Sequence, residues 1–307
     1  MTLQRLLIAL AVSAASLTAC ASDEKTRAEQ KSLQSREARF QARLARVDAQ
    51  ESSDEPVARW IMPAALGEIS GLTLTGDGRL LTHDDEISRV FQIDPKRGTI
   101  VKSFTVGNGL TGDFEGITVV GSDIYLAMSN GLLYKFREGE NSERVPYTTH
   151  DTRLGKECEF EGVVYDRDSS WLVLPCKNTR GNAYDEELLL YRWKIGRTGS
   201  SALSTLTVPL RDVIGTNNWK KFRASDITVD PATGNYVLIS SLDKGIVVMT
   251  PDGEVVSSEP LPAIHQQPEG VAITADGVLM ISDEATGKPA ALTLYRWRRP
   301  QTGAPTQ

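Results

Sequence analysis

The sequence predicts an all-β fold, a five-bladed β-propeller closed by an N-terminal strand and preceded by a charged tether. A unit of strand, turn and strand that opens on a carboxylate returns along the chain. Its copies are spaced by roughly 40 to 45 residues, the length of a four-stranded propeller blade. The last copy lacks an outer strand, which the segment before the first copy can supply. Six blades are the alternative count.

Five copies of the unit are present, each with two apolar alternating segments around a polar turn, as expected of a hairpin. They read "EISGLTLTGDGRLLTHDD" from Glu68, "GDFEGITVVGSDIYLA" from Gly112, "EFEGVVYDRDSSWLVLPC" from Glu159, "SDITVDPATGNYVLISS" from Ser225 and "PEGVAITADGVLMISDE" from Pro268. We take Gly71, Gly116, Gly162, Thr228 and Gly270 as the equivalent anchors. The interval between the third and fourth anchors is longer because it holds insertions such as "NTRGNAYDE" and "GTNNWKKFR".

Each copy can be extended to a whole blade. The second one gives four strands, "GITVV", "IYLAM", "LLYKF" and "ERVPYTT". The fifth has only three before the chain ends, and "ARWIMPAALGEISG" near the start resembles the connection "SSEPLPAIHQQPEG" before the fifth anchor. We therefore expect the N-terminal strand to complete the last blade, which leaves no open sheet edge.

The first residues have the pattern of a lipoprotein signal peptide. Residues 1–19 hold one Arg, a short apolar run and a small-residue end, too short to span a bilayer as a mature helix. Leu17-Thr18-Ala19-Cys20 resembles the bacterial lipobox, which implies lipidation of Cys20 and anchoring in a membrane. Because Ala21 and Ser22 follow, the resemblance implies an outer membrane lipoprotein facing the periplasm. An ordinary cleaved signal is the alternative.

A tether, residues 20–56, precedes the propeller. It is rich in Arg, Glu, Gln and Ala, and a thin apolar stripe runs through it at helical spacing. We interpret it as a helical or disordered spacer, with a coiled-coil partner helix as the alternative. The propeller itself is assigned to residues 57–298 and a disordered tail to residues 299–307.

Composition indicates one soluble domain behind the tether. The formal net charge is −6, and removal of the signal and tether leaves a propeller that is still acidic. This charge excludes nucleic acid as an expected partner. No segment after the signal is apolar enough over a sufficient length to cross a membrane, and we expect a monomer.

Cys158 and Cys176 are expected to form a disulfide. If "EGVVY" and "SWLVL" pair as a hairpin, the two residues lie opposite each other beyond the strand ends. An envelope protein matures in an oxidising compartment, and no His or other Cys lies nearby in the sequence to favour a metal site or a reactive thiol.

Carboxylates open almost every repeat. The first strand of a propeller blade lines the central channel, so we expect these side chains to form a ring at its rim: Glu68, Glu115, Glu161, Asp226 and Glu269. Hairpin pairing brings Asp84, Asp85 and Asp283 to nearly the same level. Such a cluster stays ionised only beside a positive charge, which predicts a bound Ca²⁺, with Mg²⁺ second.

The ring has a second interpretation that the sequence leaves open. The carboxylates can instead accept hydrogen bonds from backbone N–H groups of the next blade, or pair with cations such as Lys177 or Arg223. The ring would then only hold the blades together.

The chain resembles a known family on its repeated "EG" openings, on "LLTHDDEISRVFQIDP" and on "PEGVAITADGVLMISDE". These motifs, over roughly residues 57 to 298, resemble the SdiA-regulated, YjiK-like propellers of Gram-negative envelopes. Phytase-like and NHL-type propellers share the "EG" opening. The resemblance implies a β-propeller and is compatible with a calcium site at Glu68, Glu115, Glu161 and Glu269, but it implies no particular reaction.

Two functions remain as hypotheses. The first is a non-catalytic binding module that recognises a small ligand or an envelope protein. The alternative is a metal-dependent hydrolase of phosphate esters (phytase-like) or of lactones. The sequence lacks the G-x-S-x-G and H-E-x-x-H motifs. His83, beside the expected ring, is the candidate base for metal-bound water in the hydrolase.

Overall fold

The computed structural model describes residues 27, 30–50, 55–181, 184–197 and 199–300. The predicted signal peptide (1–19), the lipidation site Cys20 and residues 301–307 of the predicted tail lie outside the described residues. Arg299, which the prediction assigned to the disordered tail, donates from Nε to the buried Asp230 at 2.9 Å. The chain divides into two compact units, Met1–Ser53 and Asp54–Gln307.

The first unit contains a helix, α1, over residues 30–48. Its sequence has many strong helix formers and neither Pro nor Gly, so local propensity favours this conformation. The helical form of the predicted tether is thus confirmed for these residues. Among the described helices, none has both the length and the apolar character needed to span a bilayer.

The described residues of the second unit include 22 strands. In chain order they are β1 (Ala58–Ile61), β2 (Ile69–Leu74), β3 (Leu80–Asp84), β4 (Arg89–Asp94), β5 (Thr99–Val106), β6 (Phe114–Val120), β7 (Asp123–Met128), β8 (Leu132–Arg137), β9 (Arg144–Val145), β10 (Tyr147–Asp151), β11 (Cys158–Phe160), β12 (Val164–Asp166), β13 (Trp171–Thr179), β14 (Glu187–Lys194), β15 (Leu203–Pro209), β16 (Asp226–Val229), β17 (Tyr236–Ser240), β18 (Gly245–Met249), β19 (Val255–Pro260), β20 (Pro268–Ile273), β21 (Val278–Asp283) and β22 (Ala291–Arg296). One short helix, α2 (Leu210–Ile214), follows β15.

These strands form five sheets, antiparallel throughout except where the short β9 pairs in parallel with β5, which confirms the five-bladed propeller. Blade 1 is β2 to β5; blade 2 is β6, β7, β8 and β10; blade 3 is β11 to β15; blade 4 is β16 to β19; blade 5 is β20, β21, β22 and β1. In blade 3 the innermost strand is interrupted, and its two pieces, β11 and β12, both pair with β13.

The outer strand predicted for the second blade is divided between two blades. Its first part, Arg144–Val145, pairs in parallel with β5 of blade 1, while Tyr147–Asp151 pairs with β8 of blade 2. Pro146 separates the two parts, and because a Pro has no N–H to donate, it is a natural place for the chain to change partner.

The core lies between the facing sides of neighbouring blades. One cluster joins Leu81 and Val90 of blade 1 to Ile117 and Leu126 of blade 2. Another joins Ile239 of blade 4 to residues of blade 5. Both faces of each sheet are therefore buried, and this accounts for the nearly continuous apolar runs in the second strands.

The N-terminal strand closes the ring as predicted. It pairs antiparallel with β22, from Ala58 opposite Leu294 to Ile61 opposite Ala291. The Arg59 guanidinium donates to Thr293 Oγ1 at 2.8 Å and lies 3.4 Å from Asp283 Oδ2. The buried Asp283 thus receives a cation from the closing strand.

Asp283 belongs to a buried polar network. Its Oδ2 lies 2.8 Å from Nδ1 of His265, whose Nε2 lies 2.8 Å from the Tyr295 hydroxyl. The backbone N–H of Gln267 donates to Oδ1 at 3.3 Å. One carboxylate therefore links the closing strand, β21, β22 and the connection before β20.

All innermost strands begin at the same end of the central channel, and we call this end the funnel face. Because neighbouring strands are antiparallel, the connections between second and third strands lie at the funnel face, as do the connections between successive blades. Both insertions of the third blade belong to these connections.

Replacing Asp283 by Ala should destabilise the closed ring. The change leaves buried His265 and the Arg59 guanidinium without their carboxylate, so we expect the free energy of unfolding to fall by about 3 kcal/mol. Urea denaturation measures this. Asp252→Ala, at an exposed turn away from the funnel face, is the control. Equal stability of the two variants would show that closure does not depend on Asp283.

Candidate functional site

The channel is narrowest where the inner strands carry glycine. A Cβ atom on Gly116 would lie 2.5 Å from the carbonyl carbon of Gly162, and one on Gly270 would lie 2.7 Å from the Ser70 oxygen. Real Cβ atoms do not approach backbone so closely, so these positions require glycine. Neighbouring blades are in backbone contact here, and little space is left inside the channel.

In blade 4 this position is taken by Asp226, which corrects the predicted anchor. Asp226 pairs with Ile239 and Ile227 with Leu238, as Gly270 pairs with Ser282 and Val271 with Ile281. Thr228 lies two residues further along the strand, so the choice of Thr228 as the anchor was wrong. Matching Asp226 to the glutamates of the other repeats displaces blade 4 by one residue, and the choice of Thr228 added a second residue.

Asp226 links neighbouring blades and does not line the channel opening at the funnel face. It is buried, and its Oδ2 accepts hydrogen bonds from the backbone N–H groups of Val271 at 2.8 Å and of Leu72 at 3.3 Å. Blade 4 is thereby bonded to blade 5 and, across the channel, to blade 1. Burial raises the pKa of Asp226 well above its usual value. Of the two interpretations of the ring, the contacts of this residue fit the one in which a carboxylate holds blades together.

Ser225 takes the place of the glutamate in blade 4. Its N–H donates to the Ile239 carbonyl at 2.8 Å and its hydroxyl to the Pro268 carbonyl at 2.6 Å. The inner-strand register likewise places Ser70 of blade 1 at the position of Glu115. Inner-strand glutamates are therefore present in blades 2, 3 and 5 only, and Glu68 projects from the connection before blade 1.

Three carboxylates at the funnel face form a tight cluster, which we call the acidic triad. Glu68, Asp85 and Glu284 each offer one oxygen, and these oxygens all lie within 4.8 Å of one another. Asp85 follows β3 and Glu284 follows β21, so second-strand ends of blades 1 and 5 meet the connection between them. Sequence reasoning identified Glu68 and Asp85 but missed Glu284, although Glu284 follows β21 of blade 5 as Asp85 follows β3 of blade 1.

Backbone hydrogen bonds hold the triad together. The N–H of Asp85 donates to the Glu68 carbonyl at 3.2 Å, and the N–H of Ala285 donates to the Gly67 carbonyl at 3.0 Å. Asp85 Oδ1 is buried and has no hydrogen-bond partner among the described residues. The triad thus combines close like charges with an oxygen that lacks a donor.

The charges in the triad shift its proton affinity. Burial, together with the charge of Glu68, raises the pKa of Asp85 to about 6. Burial and a hydrogen bond with Glu68 raise the pKa of Glu284 to about 8. Close carboxylates without a cation hold on to protons in this way.

A second group lies beside the triad: Glu115, Glu161, Glu269 and Lys177. The Lys177 ammonium is 2.5 Å from Oε1 of the buried Glu161. Burial and the charges of Glu161 and Asp113 raise the pKa of Glu115 to about 10. Burial also raises the pKa of Glu161, to about 8, and that of Glu269.

The predicted disulfide between Cys158 and Cys176 is confirmed, with Cα atoms 5.7 Å apart. It joins β11 to β13 directly beside two residues of the funnel face, Glu159 and Lys177. Glu159 is paired with Asn178 across the same two strands, and the Asn178 side chain donates to Glu159 Oε2 at 2.9 Å. The disulfide therefore ties together the backbone that carries the Lys177 ammonium.

His83 does not lie on the funnel surface. Its side chain is fully buried, Nδ1 lies 3.1 Å from the Asp84 carbonyl, and Nε2 has no hydrogen-bond partner in the described part of the chain. Burial lowers the pKa of His83 to about 4. The ring packs beside Gly71, where it occupies space between blades 1 and 2.

Comparison with protein families agrees with the predicted resemblance. The SdiA-regulated family model matches residues 211–298, which comprise blade 5 strands β20 to β22, blade 4 and most of α2. None of the curated proteins matches the chain significantly.

Solved structures with a similar fold include enzymes. Glutaminyl cyclase from Myxococcus xanthus is 13% identical, with a TM-score of 0.56 over 78% of this chain and 95% of its own. The PQQ-bound aldose sugar dehydrogenase from Streptomyces coelicolor is 10% identical, with a TM-score of 0.52 over 77% of this chain and 97% of its own. At this level of identity the similarity shows the propeller fold alone.

Substitutions of Asp226 test its role between the blades. Asp226→Ala removes the acceptor of two buried backbone N–H groups, so we expect the free energy of unfolding to fall by about 2–4 kcal/mol. Asp226→Asn keeps an acceptor oxygen and should cost less than about 1 kcal/mol. Chemical denaturation of both variants at neutral pH decides this. If the Asn variant were as unstable as the Ala variant, the charge rather than the acceptor would be essential.

Glu115 should make the protein less stable as pH rises. Its folded pKa of about 10 exceeds the unfolded value of 4.5, so folding takes up a proton between these limits. In chelating buffer the free energy of unfolding should therefore decline from about pH 5 towards alkaline pH.

Glu115→Gln should flatten this decline, because the neutral amide has no proton to lose. At pH 8 we expect the variant to be more stable than the parent by about 1–3 kcal/mol. Glu254→Gln, an exposed carboxylate away from the funnel face, should leave the slope unchanged. Parallel pH profiles for all three proteins would contradict the assigned proton affinity.

Proposed function

We propose that this protein is a lipid-anchored, non-catalytic binding module of the cell envelope, whose funnel face binds a divalent cation, Ca²⁺ first and Mg²⁺ second, and recognises a small ligand or an envelope protein. The observation that supports it is the acidic triad, in which three carboxylate oxygens lie within 4.8 Å of one another.

The chemistry of the triad suits a hard cation. Ca²⁺ and Mg²⁺ prefer oxygen ligands, and carboxylates are their usual protein ligands. Glu68, Asp85 and Glu284 would hold the ion. A bound ion would relieve the repulsion among them and would offer a positive centre to an oxygen atom of a ligand.

The ion site proposed here differs from the predicted five-membered ring. Only Glu68 of that ring belongs to the triad, and Asp226 is engaged with backbone N–H groups. Glu115, Glu161 and Glu269 have the Lys177 ammonium beside them as a compensating charge. The local charge balance therefore favours the triad as the place for an added cation.

Anchoring through lipidated Cys20 follows from the lipobox resemblance, with the mature protein facing the periplasm from the outer membrane. The disulfide between Cys158 and Cys176 supports maturation in an oxidising compartment. Helix α1 provides a spacer of about 28 Å, at 1.5 Å per residue, between the anchor and the propeller sequence.

The hydrolase alternative needs a base close to the ion. His83, the candidate from the sequence, is buried between blades and has no surface at the funnel face. Funnel-face carboxylates remain as bases for that alternative. No contact of the described residues favours it over the binding module.

Calcium titration tests the proposed ion site. Isothermal titration of Ca²⁺ into the chelator-stripped protein should give one site. Because the ion binds the folded state, a hundredfold excess over Kd should raise the free energy of unfolding by about 2.7 kcal/mol and the melting temperature with it. Glu284→Gln removes a triad charge and should weaken binding at least about tenfold.

Glu254→Gln is the matched control, since it removes the same charge at a turn away from the funnel face, and it should bind as the parent does. Absence of heat and of a thermal shift with either Ca²⁺ or Mg²⁺ would refute the ion site. Equal loss of affinity in both variants would attribute binding to net charge rather than to the triad.

A further inference from the structure

Exposed apolar residues of the propeller gather at the funnel face. The described residues of the propeller include six large exposed hydrophobic side chains: Ile61, Ile87, Val101, Tyr147, Leu242 and Ile264. Four of them, all except Val101 and Tyr147, lie in funnel-face connections or at the strand end that leads into one. Single exposed apolar residues are ordinary, whereas apolar residues grouped on one surface are typical of interaction sites.

Three of these residues lie along the arc of blades 4, 5 and 1. Leu242 follows β17 of blade 4, Ile264 lies in the connection from blade 4 to blade 5, and Ile87 follows β3 of blade 1. We call this set the apolar rim. The acidic triad belongs to the same arc, because its residues come from blade 5, from blade 1 and from the connection between them.

Hydrogen bonds make this arc continuous. The Leu261 N–H donates to the Lys244 carbonyl at 2.7 Å, which joins the Leu242 turn to the Ile264 connection. The Gln267 amide donates to Glu284 Oε2 at 2.5 Å, and the Glu284 N–H donates to the Gln267 carbonyl at 2.9 Å. The Ala285 N–H then bonds Gly67, so ordered backbone extends from the apolar rim to the triad.

The opening of the channel at the funnel face, which we call the mouth, carries a charge that determines which partner charge is favoured. Beside the rim are seven carboxylates: Glu68, Asp85, Asp113, Glu115, Glu161, Glu269 and Glu284. Lys177 pairs with one of them, and a divalent ion at the triad would offset two more charges. Protons held by Glu115, Glu161 and Glu284 reduce the negative charge further, but the remaining carboxylates outnumber the Lys177 ammonium, so an anionic partner is disfavoured and a basic one is attracted.

We infer that the funnel face docks a protein segment in which basic and apolar side chains are interspersed, with the apolar residues on the rim of Ile87, Leu242 and Ile264 and a Lys or Arg directed to the acidic mouth. This inference rests on the proposed function as a binding module and names the class of its partner. An extended segment suits it, because alternate residues then face the surface.

A peptide of about eight residues that alternates Lys and Leu is the probe, and the same peptide with Glu in place of Lys is its charge-reversed counterpart. Fluorescence anisotropy measures binding of each labelled peptide to the full chain, once in chelator and once in Ca²⁺. Only the Lys peptide should bind, and its affinity should fall as salt is raised from about 50 to about 300 mM.

The rim variant combines Leu242→Ser with Ile264→Ser and should weaken binding of the Lys peptide by about tenfold or more. Val101→Ser is the matched control: Val101 is 55% exposed, as against 54% for Leu242, but lies on outer strand β5. It should alter binding by less than about twofold. The melting temperature of each variant shows whether the fold is kept.

Equal binding of the peptide to the rim variant and the control would overturn the inference, as would equal binding of the Lys and Glu peptides or no binding in either buffer. The calcium titration is read separately. Peptide binding without a calcium response would support the docking surface and refute the ion site. A calcium response without peptide binding would support the ion site and refute the docking surface.

Discussion

The close approach of the five inner strands around the channel axis is the constraint on which the rest of the structure depends. Backbones of neighbouring blades meet at Gly71, Gly116, Gly162 and Gly270, where a Cβ atom would collide with main-chain or packed side-chain atoms. In the fourth blade Asp226 takes the place of the glycine. Its carboxylate accepts hydrogen bonds from backbone N–H groups of two other blades. The channel is therefore narrow at this level, and the carboxylates that precede the inner strands lie on its funnel-face side.

Convergence of strand ends explains the electrostatics of that face. Every blade directs the start of its inner strand and the end of its second strand to the same small area, so carboxylates at these positions in blades 1, 2, 3 and 5 lie close together. The structure balances part of this charge with Lys177. Elsewhere the balance is made by protons, as the raised pKa values of Asp85 and Glu284 indicate, or by the cation that we propose.

Closure of the ring maintains this geometry. The triad lies where blade 5 meets blade 1, which is also where the N-terminal strand completes the sheet. Asp283, bonded to Arg59 and His265, lies next to Glu284 in the chain. A loss of closure would consequently separate two members of the triad, so ring stability and the proposed ion site share one structural cause.

The sequence by itself determined the blade count, the closing strand and the disulfide, because these follow from local patterns: strand alternation, repeat spacing and the position of two Cys around one hairpin. It also indicated the funnel face as the place of the carboxylates, since residues before each inner strand must meet there. The tertiary structure decided which carboxylates lie together.

Glu284 joins the triad only because blade 5 abuts blade 1, and His83 is buried only because its ring packs between two blades. A one-residue difference in register turns Asp226 from a surface ligand into a bond between blades. Such distances depend on the packing of residues far apart in the chain, and no local pattern encodes them.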